Sequence, residues 1–300
     1  MRVADEVSPH CTEQLHRLRA GVFGEERLRQ IFEKYTLPFS SEVLFDVNLE
    51  AGGKFQADCV VLSETVCVIL ESKNISGSLR FEPNPSCLIR ERQDGQIDIF
   101  ESPEVQLQRN CWLIERWLAA RQIQMPVTGA IVWTSATRSN IIKPPTNVQT
   151  LYVQTVPMYL KQVTEQFRLN ATFLSHTQLL RISKEMQQQS KQFKYPQFPL
   201  SQQWNITAEQ IKKGVRCIKC GKFGMYKMAY GWTCHCGHID KHAHKIAIKE
   251  WFMLVKETMT NKECREFLLL EDRYMAKRML KSCDLVEIGT TKGTIYKWKW

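Results

Sequence analysis

The chain has 300 residues, 43% hydrophobic and 24% charged, a composition that folds and excludes wholesale disorder. Its longest apolar runs, Cys59 to Leu62 and Val66 to Leu70, are strand-sized and far short of the roughly 18 residues of a membrane span. The net charge of +10 is uneven: residues 1–200 hold 22 Lys/Arg against 21 Asp/Glu, and residues 201–300 hold 19 against 10. A balanced body with a basic appendage points to a polyanion, most naturally nucleic acid, as partner of the appendage.

The N-terminus, with Asp5, Glu6 and Glu13 and no apolar segment, is not expected to be a secretory signal. Of eleven cysteines, only Cys217, Cys220, Cys234 and Cys236 cluster. The expectation is a reduced, cytoplasmic protein without a membrane partner and with one thiolate metal site.

In chain order, Gly24 to Tyr35 reads as a helix whose stripe combines Gly21, Gly24, Leu28, Ile31, Phe32 and Tyr35 with Glu25. A carboxylate on a buried stripe needs a partner, so Glu25 is a ligand of a metal or its water, or a pair with Arg29. Val43, Phe45, Val47 and Leu49 alternate as a half-buried strand that ends at Gly52-Gly53. Residues 58–62 and 66–71 read as two apolar strands. Ser102-Pro103-Glu104 opens a helix to about Ala120. Residues 127–133 and 148–153 read as strands, and 158–168 and 176–188 as helices. Mixed strands and helices predict an α/β domain with one central mixed sheet.

The chemistry concentrates in Asp58, Glu71 and Lys73. Glu71 and Lys73 share a face of one strand. If Glu64-Thr65 forms the centre of a hairpin turn, paired positions sum to 129 and Asp58 lies opposite Glu71. Two facing carboxylates are costly to keep ionised when half-buried. A hard divalent ion such as Mg2+ or Mn2+ relieves that cost, and a neighbouring ammonium steadies negative charge, as phosphodiester hydrolysis requires. The bland alternative is a sheet-edge acid beside a surface ion pair. On the second helix, Gln106, Asn110, Leu113 and Trp117 share a stripe; the amides serve either a phosphate or catalytic lysine, or the cap of a strand end.

Four pieces in this order, G-V-F-G-E-E at 21–26, F-Q-A-D at 55–58, I-L-E-S-K-N at 69–74 and S-P-E-V-Q-L-Q-R-N at 102–110, resemble the NERD (nuclease-related) domain, a branch of the PD-(D/E)xK nuclease superfamily, over roughly residues 20–135. The resemblance implies a restriction-endonuclease-like α/β/α core. It implies Asp58 and Glu71 as metal ligands, Lys73 as the residue that positions or activates the attacking water, Glu25 as an auxiliary acid and Gln106 as the helix glutamine after the motif. Ala57 stands where the family often has a bulkier aliphatic residue.

A Gln-rich, Pro-interrupted stretch at 186–205 reads as a linker after a first domain over 1–185. The knuckles Cys217-Ile218-Lys219-Cys220-Gly221 and Cys234-His235-Cys236-Gly237 offer four soft ligands for Zn2+, so 206–245 is expected to be a zinc ribbon. The second knuckle is one residue short, which leaves His235 or His238 open as a substitute for Cys234. Lys219, Lys222 and Lys227, interleaved with Tyr226, Tyr230 and Trp232, suit nucleic acid, although the rings suit the ribbon's own core equally well.

Residues 246–300 are expected to form a helical or winged-helix module. Ile246 to Lys256 is amphipathic, Thr260-Asn261-Lys262-Glu263 is a capping box for a helix through Leu270, and 271–282 is a second helix with Arg273, Lys277, Arg278 and Lys281. A hairpin of 285–288 and 294–300 follows, with Lys292 in its wing. The favoured reading is a Mg2+-dependent nuclease acting on DNA, with a homodimer compatible with double-strand cutting. The rivals are a non-catalytic nucleic-acid-binding or regulatory protein on a nuclease-like scaffold, and an adaptor docking through the ribbon.

Overall fold

The computed structural model of the chain describes residues 8–135, 139–168, 173–193, 199–290 and 293–299. It divides into one unit of Leu15–Lys194 and another of Met1–Gln14 with Tyr195–Trp300. The first takes helix α1 (Ser8–Lys34) from Leu15 onward, followed by the strands β1 (Ser41–Glu50), β2 (Lys54–Ser63) and β3 (Cys67–Lys73). Next come β4 (Ser78–Pro83), β5 (Ser86–Glu91), β6 (Ile97–Glu101), α2 (Pro103–Ala119), β7 (Val127–Trp133), β8 (Asn140–Lys143), β9 (Gln149–Tyr152), α3 (Val156–Arg168) and α4 (His176–Gln192).

The central sheet has the order β1-β2-β3-β7-β9, antiparallel over its first three strands and parallel over its last three. Strands β2, β3 and β7 are apolar nearly throughout because both their faces are covered. Leu28 of α1 and Val156 and Leu160 of α3 pack on Cys59, Val61, Val68, Ala130 and Val132. On the opposite face, Leu107, Ile114 and Trp117 of α2 and Leu179, Ile182 and Met186 of α4 cover Val60, Leu62, Ile69 and Ile131. Each such side chain contributes roughly 1.5–3 kcal/mol by leaving water. The result is the expected mixed α/β sandwich, with Cys59 and Cys67 as small buried hydrophobes.

Three features differ from expectation. A second sheet, β6-β5-β4-β8, draws three strands from the segment between the Glu71–Lys73 motif and α2, where no element was anticipated, and its fourth, β8, from beyond β7. Its strands are short and several residues stay exposed, but Leu79, Phe81 and Leu88 join the core on the α2 side. Second, the expected linker at 186–205 begins as helix: α4 continues to Gln192. A capping box of Ser175 and Gln178 starts it, and Met186 and the bond from Trp117 Nε1 to Gln189 Oε1 (2.8 Å) hold it. Residues 194–198 lie outside those described, and Leu200–Gln203 forms the short helix α5.

Third, the two C-terminal modules expected at 206–245 and 246–300 share one core. Strands β10 (Val215–Arg216), β11 (Phe223–Met228), β12 (Gly231–Thr233) and β13 (Ile239–Asp240) form one small sheet. Helix α6 (Ala243–Leu254), β14 (Thr258–Thr260), α7 (Asn261–Leu268), α8 (Arg273–Lys281), β15 (Leu285–Ile288) and β16 (Ile295–Trp298) follow. Met225 and Trp232 of the small sheet bury together with Trp251, Phe252, Phe267 and Leu280. The Thr260–Glu263 capping box opens α7, and β14 joins the 285–298 hairpin to make the sheet β14-β16-β15. Among the described residues, no helix is long and apolar enough to cross a membrane.

Candidate functional site

The β2–β3 turn sets the geometry. Ser63 N–H donates to the Val66 carbonyl at 3.0 Å, and Ser63 Oγ accepts from the backbone N–H of Thr65 and Val66. Glu64-Thr65 is thereby the centre of the turn, and the strand pairs Cys59–Leu70 through Leu62–Cys67 all keep the register sum of 129. The paired ladder ends at Cys59–Leu70, one position short of Asp58 and Glu71. The Asp58 carboxylate turns to the end of β3, where its Oδ2 accepts from Ser72 N–H at 2.8 Å.

Glu71 is 1% exposed. Its Oε1 accepts from Lys73 Nζ at 2.7 Å and from Gln106 Nε2 at 2.6 Å, while Gln106 Oε1 accepts from Lys73 Nζ at 3.1 Å. The three side chains close a triangle. Its second oxygen, Oε2, is buried with no hydrogen-bond partner. Burial first, and then the nearby Asp58 charge, pushes the Glu71 carboxyl up to about 7 against the opposing pull of Lys73 and Gln106. Burial likewise raises Asp58, with Lys73 and the Ser72 N–H working against it.

Helix α1 delivers Glu25 to the same place, and Gly24 explains how. A Cβ at Gly24 would lie 2.6 Å from Thr134 Oγ1 and 2.9 Å from Asn74 Cβ, so only glycine lets the helix cross the ends of β3 and β7 this closely. Asn74 Nδ2 donates to the Ala20 carbonyl and Arg27 Nη1 to the Thr134 carbonyl, each at 2.7 Å. Glu25 is half-buried there; its carboxyl is raised by burial and then by the charges of Asp58 and Asp46, with Arg29 and Lys73 opposing.

Helix α2 supplies Gln106. Ser102 caps it, Pro103 occupies its first turn, and Gly129 lets it sit close on the sheet, since a Cβ there would meet Ile69 O at 2.6 Å and Leu107 Cδ1 at 2.7 Å. The two amides of the stripe divide their roles: Gln106 holds Glu71 and Lys73, whereas Asn110 Nδ2 caps the Gln56 carbonyl of β2 at 2.8 Å.

One nearby acid is absent from the sequence reading. The β1–β2 pairs sum to 104 on both sides of positions 46 and 58, which sets Asp46 opposite Asp58. Asp46 adopts a left-handed φ of 51°, and its Oδ1 accepts from Asn48 and Gln56 amides at 3.0 and 2.8 Å. The Gly52-Gly53 turn carried the signal, since a hairpin pivoting there gives this register.

The orphaned, buried Glu71 Oε2 beside Asp58 fits a hard divalent ion. Among the described residues, however, only the four cysteines bring three or more candidate ligand atoms within 4.8 Å of one another; no third acid closes on Asp58 and Glu71.

Those cysteines, Cys217, Cys220, Cys234 and Cys236, could hold zinc. Cys217 and Cys236 sulfurs lie 3.8 Å apart, and those of Cys220 and Cys234 3.6 Å apart. Gly221 N–H donates to Cys217 O and Gly237 N–H to Cys234 O, both at 2.9 Å, and both glycines have positive φ. The short knuckle is thus closed by a turn one residue tighter, and Cys234 keeps its place. His235 instead packs its ring on Tyr226 at 5.6 Å.

The basic candidates are spread over the second unit. Lys219 and Lys222 are exposed in and beside the first knuckle. Lys227 is less available: it lies opposite the buried Trp232, and its ammonium donates to the Met228 carbonyl. Arg273, Lys277 and Arg278 are exposed on α8, with the Arg273 guanidinium 4.6 Å over the Tyr274 ring. Lys292 falls outside the described residues.

A mixed sheet that brings two acids and a lysine to one strand end, beneath a helix glutamine, defines a nuclease-like α/β fold. Residues 20–134 match the family model of the nuclease-related domain, NERD, so this part of the chain is similar to that family. No curated protein and no solved structure matches the chain.

Proposed function

We propose that the chain is a divalent-metal-dependent nuclease that hydrolyses phosphodiester bonds, with DNA as its substrate and Mg2+ or Mn2+ at Asp58 and Glu71. The observation that carries this reading is the Glu71 carboxylate, buried, with one oxygen held by Lys73 and Gln106 and the other without a partner. Such an arrangement is costly in a protein that does nothing with it. A bound hard cation supplies the charge that polarises a phosphoryl oxygen and activates water.

The chain's own residues do the rest. Ser72 N–H fixes the orientation of Asp58. Gln106 holds Glu71 and the Lys73 ammonium in one cluster, so that the ammonium is positioned to steady negative charge or to orient the attacking water. Glu25, brought in by the close approach at Gly24, is an auxiliary acid that holds water on the helix side. In the second unit, the order helix, strand, helix, helix, strand, strand (α6, β14, α7, α8, β15, β16) supports a winged-helix reading, with α8 and its Arg273, Lys277 and Arg278 as the element facing nucleic acid.

The test is an assay of purified protein on single- and double-stranded DNA and on RNA, with Mg2+ or Mn2+, beside Lys73→Ala. Metal-dependent cleavage that Lys73→Ala abolishes, with binding retained, is the expected result. Equal cleavage by both proteins, or none by either while nucleic acid is bound, defeats the enzymatic reading.

A further inference from the structure

The outer face of the zinc-ribbon sheet is open. Tyr226 pairs with Thr233, Thr233 with Ile239, and Met228 with Gly231, so these residues share one face of β11, β12 and β13. Tyr226 is 45% exposed, Met228 53% and Ile239 57%, and Tyr230 at the hairpin tip is 85% exposed. The inner face, with Met225 and Trp232, is the one that packs. The aromatic residues thus separate: Trp232 belongs to the core, whereas the two tyrosines do not. Gly231 keeps the outer surface flat, since its missing Cβ would come 3.1 Å from Ile239 Cγ2.

The surrounding charge is mostly positive. Residues 212–245 carry eight Lys/Arg and the single acid Asp240, and Asp240 stands across from Trp232 with its Oδ1 accepting from His242 N–H. Lys219, Lys222 and Lys241 are exposed. A flat surface of rings and a thioether on a cationic segment matches a strand of unpaired bases: the rings stack on base faces and the ammonium groups meet phosphates. Duplex DNA cannot use it in this way, because its base faces are already stacked on one another.

We infer that this face, Tyr226, Met228, Tyr230 and Ile239, is a stacking platform for single-stranded nucleic acid. The inference rests on the nucleic-acid reading above and deepens it: the substrate is one that presents a single-stranded segment.

The experiment measures binding of the zinc-loaded full chain, without added Mg2+ or Mn2+, to fluorescent oligothymidylate and to a blunt duplex. Wild type is compared with Tyr226→Ala/Tyr230→Ala and Tyr226→Phe/Tyr230→Phe, with zinc content checked in each. Stacking predicts that the alanine variant loses roughly tenfold or more in single-strand affinity, keeps its duplex affinity, and is rescued by the phenylalanine variant. Unchanged single-strand affinity at full zinc content overturns the inference while leaving duplex binding and the nuclease reading intact. Loss of self-association on sedimentation, with oligonucleotide binding unmoved, also overturns it and assigns the face to a second copy. If wild type binds neither probe, both readings fall.

Discussion

Gln106 and Lys73 donate to the same oxygen of Glu71, at 2.6 and 2.7 Å. One amide from a helix and one ammonium from the same strand therefore fix a carboxylate whose other oxygen has no hydrogen-bond partner among the described residues. Removing the amide alone separates positioning from ligation. Gln106→Leu should lower the cleavage rate by about 10–100-fold and raise the Mg2+ concentration needed for half-maximal activity, whereas Glu71→Ala should abolish cleavage at any Mg2+ concentration. DNA affinity should be unmoved in both. A Gln106→Leu enzyme with an unaltered metal requirement would remove Gln106 from the site.

The two glycines of α1 give opposite predictions from the same substitution. Gly→Ala in a helix interior ordinarily stabilises by about 1 kcal/mol. Gly21 has nothing within 4 Å of an added Cβ, and Gly21→Ala should raise stability by roughly that amount. Gly24→Ala meets Thr134 Oγ1 at 2.6 Å, and overpacking there should cost about 1–3 kcal/mol and displace Glu25, reducing cleavage more than binding. Urea unfolding of both variants, with activity measured in parallel, decides it.

The common core of the ribbon and the C-terminal helices enlarges the effect of zinc. Chelation, or Cys217→Ser, should lower the melting temperature of the whole second unit, because Trp232 and Met225 bury against α6 and α7 residues. The nuclease-related unit should keep its own transition. Calorimetry with and without chelator resolves the two; a second unit whose melting ignores zinc would contradict the assignment.

His244 makes that unit sensitive to acid. Its ring is buried, with Trp232 Nε1 donating to Nδ1 at 3.3 Å and Ser282 Oγ 2.8 Å from Nε2. Burial, then the charges of His242, Lys245 and Lys227, lowers its pKa to about 4. The unfolded chain takes up the proton near 6.5 and the folded one does not, so stability is full above that pH and declines as pH falls from about 6.5 to about 4. His244→Gln should show a shallower decline over this window than wild type. Denaturant midpoints at a series of pH values measure the difference, and parallel curves would dismiss it.

The exposed cations of α8 should act on affinity alone. Lys277→Ala and Arg278→Ala should each weaken binding across DNA sequences alike and reduce the salt slope by about one. Cleavage at saturating DNA should stay at the wild-type rate. A changed rate at saturation would place these side chains in the chemistry instead.

The β2–β3 register is legible in the sequence because two continuous apolar runs flank a two-residue polar turn, and Ser63 locks that turn with its own hydroxyl. The helix bearing Gln106 is legible because Ser102 and Pro103 are strong start signals. The sheet at 78–101 is not, since a strand such as Ile97–Glu101 buries none of its residues and turns its apolar Ile97 and Ile99 outward, with Asp98 on the less exposed side. The Gln-rich end of α4 misleads for a related reason: composition suggests a linker, but Met186, Trp117 and Glu185 supply tertiary contacts that composition cannot show. The role of Asp46 depends on a left-handed residue in mid-strand opposite Asp58, a conformation that aspartate tolerates but that the alternation of the flanking apolar residues does not announce.

Between Lys73 and Gln106 the chain makes the entire excursion through β4, β5 and β6 before returning to the same carboxylate. The candidate site is thus split in sequence around a small sheet whose Leu79, Phe81 and Leu88 belong to the same core as α2. An engineer could lengthen, shorten or recharge the exposed turn at 93–96 while the fixed ends at Lys73 and Ser102 keep the Glu71 cluster assembled.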